Sequence, residues 1–117
     1  MLAAPERLSE PSRALVVSAD NELLLSAASA WEIAIKYGLG KLRLPEPPGE
    51  LMPRLMTRTG ITPLPIHHRH ALHVATLPAL HRDPFDRLLI AQAQLERLPI
   101  LTADRSFARY EVETLSA

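Results

Sequence analysis

The sequence contains no cysteine. Disulfides, zinc–thiolate sites, iron–sulfur clusters and a thiol nucleophile are therefore excluded. It has no net charge, since thirteen Lys and Arg balance thirteen Asp and Glu. Charge-driven, non-specific attraction to nucleic acid or membrane is not expected from that balance, which leaves specific contact through a local patch. None of the four glycines belongs to a glycine-rich loop, which argues against a phosphate-cradling α/β domain of that kind. No apolar run is long enough to span a bilayer. The opening residues carry Glu6 and Glu10 and lack the uninterrupted apolar stretch of a signal peptide, so a soluble, cytoplasmic protein is expected. What is present is ordinary for a globular chain: 117 residues, 47 % apolar and 22 % charged. One domain, residues 1–117, with one core is expected.

Eleven prolines punctuate the chain and mark its elements. Ser9-Glu10-Pro11 opens an expected helix running to about Ala19, and Asp20-Asn21 breaks it. Glu22 to Ser26 reads as a short buried strand. Ser29 then caps a helix from Ala30 to about Tyr37, with Gly38 at the left-handed C-terminal position. Pro45 to Gly49 is a loop, Glu50 to Arg58 a helix containing Pro53, and Ile61 to Ile66 an edge strand with two prolines. His68 to about Leu77 is helical, and Asp83 caps a strong helix from Pro84 to about Arg97. Pro99 to Thr102 is a strand, Arg105 to Tyr110 a short helix, and Val112 to Leu115 a last strand. Alternating strands and helices predict an α/β fold, a mostly parallel sheet flanked by helices.

Three carboxylates fall at element junctions: Glu32 in the first turn after the Leu23–Ser26 strand, Asp86 in the first turn of the Pro84 helix, and Asp104 just after the Ile100–Thr102 strand. The carboxyl ends of parallel strands share one edge, so this topology gathers residues distant in sequence. Crowded carboxylates repel unless a cation neutralises them, and Mg²⁺ or Mn²⁺ suits an all-oxygen donor set. Such an ion activates water and offsets charge on a phosphodiester. Each carboxylate also has a structural reading. Ser29–Glu32 and Asp83–Asp86 fit capping boxes, and Asp104 fits an N-cap.

Three segments resemble a known family. Leu25-Ser26-Ala27-Ala28-Ser29-Ala30-Trp31-Glu32-Ile33-Ala34-Ile35-Lys36 with Gly38-Leu39-Gly40-Lys41-Leu42 is similar to the second strand and helix of a PIN domain of the VapC toxin type. His81-Arg82-Asp83-Pro84-Phe85-Asp86-Arg87-Leu88-Leu89-Ile90-Ala91-Gln92-Ala93 resembles that family's central acidic helix, and Leu101-Thr102-Ala103-Asp104-Arg105-Ser106-Phe107 its last acidic segment. The resemblance covers nearly the whole chain. It implies a metal-dependent endoribonuclease toxin of a bacterial toxin–antitoxin pair, in which acidic residues hold Mg²⁺ or Mn²⁺ and a water attacks the RNA phosphodiester. By position, Glu32, Asp86 and Asp104 are three of the family's four catalytic and metal-binding acids, and Thr102 matches a small hydroxyl residue that orients a ligand or water. A cognate antitoxin, an RNA substrate and a homodimer are implied, and no membrane partner.

The fourth acid, at the end of the family's first strand, has no counterpart here. Met1 to Ser9 resembles the stretch after it. The expectation is a PIN-like domain lacking the first, central strand, with Met1 internal to a longer natural protein. The Leu23–Ser26 and Ile100–Thr102 strands would each then lack a neighbour. Asp20 cannot substitute, because it lies at the amino-terminal end of its strand. The alternative is a catalytically impaired PIN-like module that binds antitoxin or RNA without cleaving.

The remaining candidates divide between packing and contact. His67, His68, His70 and His73 are expected on a solvated or partly packed face, not in a metal site; His81 is assigned to packing or capping, with contact to RNA or antitoxin as the alternative. Arg82, Arg87, Arg105, Lys36 and Lys41 either contact RNA phosphate or offset the acids. Trp31 is expected in the core, with base stacking as the alternative. The Glu50–Arg58 helix packs on the core or faces a partner.

Overall fold

Strand β1 (Leu15–Val17) is the centre of a five-stranded sheet in a computed structural model that describes residues 15–18, 22–80, 83–102, 107 and 109–116. The other strands are β2 (Leu23–Ser26), β3 (Thr62–Leu64), β4 (Ile100–Thr102) and β5 (Thr114–Ser116), in the order β3-β2-β1-β4-β5. The helices are α1 (Ala27–Gly38), α2 (Pro48–Thr59), α3 (His68–His73), continued by a 3₁₀ turn at Val74–Thr76, and α4 (Pro84–Glu96). The expected α/β architecture is present.

The sheet is mixed in a particular way. β1 pairs antiparallel with both β2 and β4, while β3 and β5 pair parallel with β2 and β4 respectively. Four strands therefore share one direction and the central one opposes them. The carboxyl ends of β2 and β4, Ser26 and Thr102, lie on one edge of the sheet.

Two expectations are corrected here. Residues 9–14 of the expected Ser9–Ala19 helix lie outside the described residues, but Leu15–Val17 is strand. The centre of the sheet is consequently filled: Val16 is level with Leu24 on one side and Ile100 on the other. The physical reason is the backbone of β2 and β4. Each buried N–H or C=O left unpaired costs about 1–3 kcal/mol, and two adjacent valines prefer the pleated conformation. Leu15, Val16 and Val17 are all buried, as suits a strand covered on both faces. Two hydrogen bonds tie the end of β1 to the start of β2: the Ser18 N–H donates to the Glu22 carbonyl at 2.9 Å, and the Glu22 N–H donates to Ser18 Oγ at 3.1 Å.

The pleat divides the core. Val16 and Ile100 face a cluster built with Leu89, Ile90 and Ala93 of α4, whereas Leu15 and Leu25 face Ile33 of α1 and Met52 of α2. Leu51 of α2 is buried and its Leu55 and Met56 pack against the second cluster, so the amphipathic face of this helix is spent on the core. A polar bridge through the buried Ser26 and Gln92 ties the layers together. Ser26 Oγ donates to Gln92 Oε1, and Gln92 Nε2 donates to the Pro65 carbonyl at 3.1 Å. Nothing in the local pattern of α4 marks Gln92 as more than another core position.

His70 and His73 serve packing, whereas His67 and His68 are exposed. His70 is fully buried; its Nδ1 accepts from the His67 N–H at 2.9 Å, and its Nε2 lies 3.3 Å from Glu96 Oε2. His73 Nε2 lies 2.8 Å from Gln94 Oε1. Both contacts tie α3 to the end of α4. The hydrogen bond from Arg69, followed by that from His70, holds the Glu96 carboxyl below its ordinary value. A lowered carboxyl stabilises the fold above its unfolded-state pKa, and that contribution is lost as pH falls through the folded value. Thermal stability should therefore drop on acidification across the carboxylate range, and Glu96→Gln should flatten that part of the profile in melting curves taken against pH. His81, the other histidine, lies outside the described residues.

Candidate metal centre

Helix α1 begins three residues earlier than its sequence suggests. Ser26, not Ser29, is the N-cap, and its Oγ accepts from the Ala28 N–H at 3.1 Å. Ser29 is buried inside the helix, and Glu32 sits in the second turn, not the first. The capping-box reading of Ser29 and Glu32 is thereby removed. At the far end the left-handed residue is Gly40, with φ 75°, not Gly38. The reason is that the helix runs through Gly38 and is closed by the Gly40 N–H to the Tyr37 carbonyl at 3.0 Å and the Lys41 N–H to the Lys36 carbonyl at 2.9 Å.

Helix α4 starts as expected. Asp83 is its N-cap and Pro84 its first residue; Asp83 Oδ1 accepts from the Phe85 N–H at 2.9 Å and the Asp86 N–H at 3.3 Å. Helices α1 and α4 meet beside the sheet edge where β2 ends, and their contact brings Glu32 to Asp83 and Asp86. One carboxylate oxygen from each of the three lies within 4.8 Å of the others. Sequence reading placed Glu32 and Asp86 together and took Asp83 only for a cap. Asp83 is both, and the available signal was its spacing: two carboxylates three residues apart at one helix start lie on one face. Asp104 lies outside the described residues. Thr102 is buried at the end of β4, on the same edge as Ser26.

Glu32 is only 5 % exposed. An ionised carboxylate in such a place requires compensation. Lys36, one turn on, provides half of it, with Nζ 2.9 Å from Oε2. The other oxygen, Oε1, is buried and has no hydrogen-bond partner among the described residues. An orphaned buried oxygen beside two further carboxylates is what an oxygen-seeking divalent cation would satisfy, so these residues fit such an ion. The nearby cations divide. Lys36 offsets the acids, whereas Arg87 is committed to the Val74, Leu77 and Pro78 carbonyls. Arg82 and Arg105 lie outside the described residues.

Trp31 is not in the core. It is 59 % exposed, and its ring meets Phe85 edge to face at a centroid distance of 5.0 Å. The core side of α1 is taken by Ala28, Ser29, Glu32 and Ile33, which leaves position 31 pointing outward. Beside it, Ile35, Leu39, Pro84 and Phe85 line an open groove with Glu32 and Lys36.

Comparison with known proteins bears on the family. The family model described as "PIN domain" matches residues 1–113. Ribonuclease VapC16 of Mycobacterium tuberculosis (strain ATCC 25618 / H37Rv) is 53 % identical over 62 residues, 53 % of this chain and 44 % of that relative. The matched region thus spans less than half the relative's length. No solved structure matches the chain. No helix among the described residues is long and apolar enough to cross a membrane. With its family match running almost from end to end, and its acids gathered where two helices meet at one sheet edge, the chain belongs to the PIN-domain family and resembles its VapC members.

Proposed function

We propose that this chain is a metal-dependent endoribonuclease, the toxin of a bacterial toxin–antitoxin pair, acting in the cytoplasm on RNA and restrained by a cognate antitoxin. The observation that carries the reading is the group Glu32, Asp83 and Asp86, with the Glu32 Oε1 atom buried and unpartnered. Glu32 and Asp86 would be the catalytic metal ligands, joined by Asp104 from the segment after β4. Asp83 would add charge while holding the helix start. Bound Mg²⁺ or Mn²⁺ supplies the Lewis acidity that makes water a nucleophile at neutral pH and offsets charge on the phosphodiester. The protein's own part is positional. Ser26 and Asp83 cap the two helices and so fix Glu32 and Asp86, and packing of α1 on the core keeps the Glu32 carboxylate desolvated. Lys36 holds one Glu32 oxygen and leaves the other unpartnered among the described residues. Homodimerisation belongs to the same reading.

The test is incubation of single-stranded RNA with the purified chain in Mg²⁺ or Mn²⁺ and in a chelator. Internal cleavage with the ion and none with the chelator is expected. A second reading, a PIN-like module that binds without cleaving, is favoured by one observation. The reversed β1 ends at Val17 on the edge opposite the acids, and among the described residues it brings no carboxylate to them. RNA left intact under every ion would select that reading.

A further inference from the structure

Trp31, Ile35 and Leu39 follow one another at four-residue spacing along α1 and its C-cap, and all three are exposed. A tryptophan offers about 150–250 Å² for burial, so one left mostly in water on an otherwise well-buried helix requires a reason. Trp31 is also held in place. A T-shaped contact with Phe85 occupies at most one indole face, and 59 % of the residue stays accessible. Phe85 belongs to the turn of α4 that carries Asp83 and Asp86, and Trp31 precedes Glu32, so the indole is fixed to both helices that form the acidic group.

We infer that Trp31 is a base-stacking platform, on which a nucleotide next to the scissile phosphate rests its base. This deepens the ribonuclease reading and rests on it. The surroundings select a nucleotide over an apolar protein surface. Lys36, a third exposed, and Lys41, exposed, lie in the groove with Ile35 and Leu39. A flat apolar partner would desolvate those charges, whereas a nucleotide presents a π face to the indole and an anionic phosphate to the lysines and the metal centre. Stacking of this kind is tolerant of sequence and acts on single strands, whose bases are free to turn out.

The chain has one tryptophan, so its fluorescence reports this position alone. Titration with a short single-stranded oligoribonucleotide in chelator, where no cleavage occurs, should quench that fluorescence. Trp31→Ala should bind the same RNA about 5- to 150-fold more weakly, the equivalent of about 1–3 kcal/mol of stacking. Trp31→Phe should recover most of the affinity. In cleavage assays with Mn²⁺, Trp31→Ala should raise KM far more than it lowers kcat. Absent quenching, or an unchanged RNA affinity in Trp31→Ala, overturns the inference. So does loss of self-association or of antitoxin binding in Trp31→Ala with RNA binding intact, which would make the stripe a protein interface. Quenching and weakened binding in a chain that never cleaves would leave the platform standing and defeat the nuclease reading instead.

Discussion

Glu32→Gln should reduce metal-dependent RNA cleavage by about a hundredfold or more while leaving the fold intact. The substitution keeps the shape of the side chain and removes the charge that a divalent ion requires. Changes one shell further from a metal already cost about 10–100-fold, so loss of a direct ligand belongs at or beyond the upper end. Stability should move the other way or not at all. Glu32 is buried, and one of its oxygens has no partner, so neutralising it removes a desolvation cost. Lys36, a third exposed, turns to water when its partner is lost. Cleavage rates and melting temperatures in chelator check the two halves together. Unchanged cleavage with lowered stability would mean that Glu32 serves the fold and not the reaction.

Val16→Asp should abolish folding. Val16 is wholly inaccessible and lies between Leu24 and Ile100 at the centre of the sheet. An unpaired carboxylate there costs several kcal/mol, on top of the lost packing, against a total stability of about 5–15 kcal/mol. The cooperative thermal transition seen by circular dichroism should vanish. A variant that melts cooperatively near the wild-type temperature would show that residue 16 is not central, and would return the segment to the helix its flanking Ser-Glu-Pro motif suggests.

That contrast shows where sequence reasoning succeeds and where it fails. The strands β2, β3 and β4 and helices α2 and α4 were legible because their signals are local: short apolar runs, Pro84 after the capping Asp83, prolines at the edge strand β3. β1 was not legible, because Leu15-Val16-Val17 is too short to show a period and its conformation is set by two strands that come later in the chain. Sheet pairing overrode a helix-start signal. At α1 two serines three residues apart competed for the cap. The choice of Ser29 made Glu32 look like part of a capping box, and the choice of Ser26 frees it. Trp31 was misplaced on the strength of residue type. Its direction follows from the helix phase set by Ile33, which a shift in the helix start does not alter but a residue-type rule ignores.

The candidate site was legible in its chemistry and incomplete in its membership. Glu32 and Asp86, 54 positions apart, were placed together from topology and from the family resemblance, and the structure places them together. Asp83 was missed because a capping aspartate already has a sufficient explanation. Only the contact of α1 with α4 shows an Asp83 carboxylate oxygen within 4.8 Å of Glu32.

The central claim is that this carboxylate group holds a divalent ion. Its most direct test is Mn²⁺ binding to the purified chain, followed by the electron paramagnetic resonance signal of the free ion and compared with Glu32→Gln and Asp86→Asn. Saturable binding by the wild-type chain that each substitution removes is the predicted result. Equal binding by all three proteins, or no saturable binding by any, would contradict the claim.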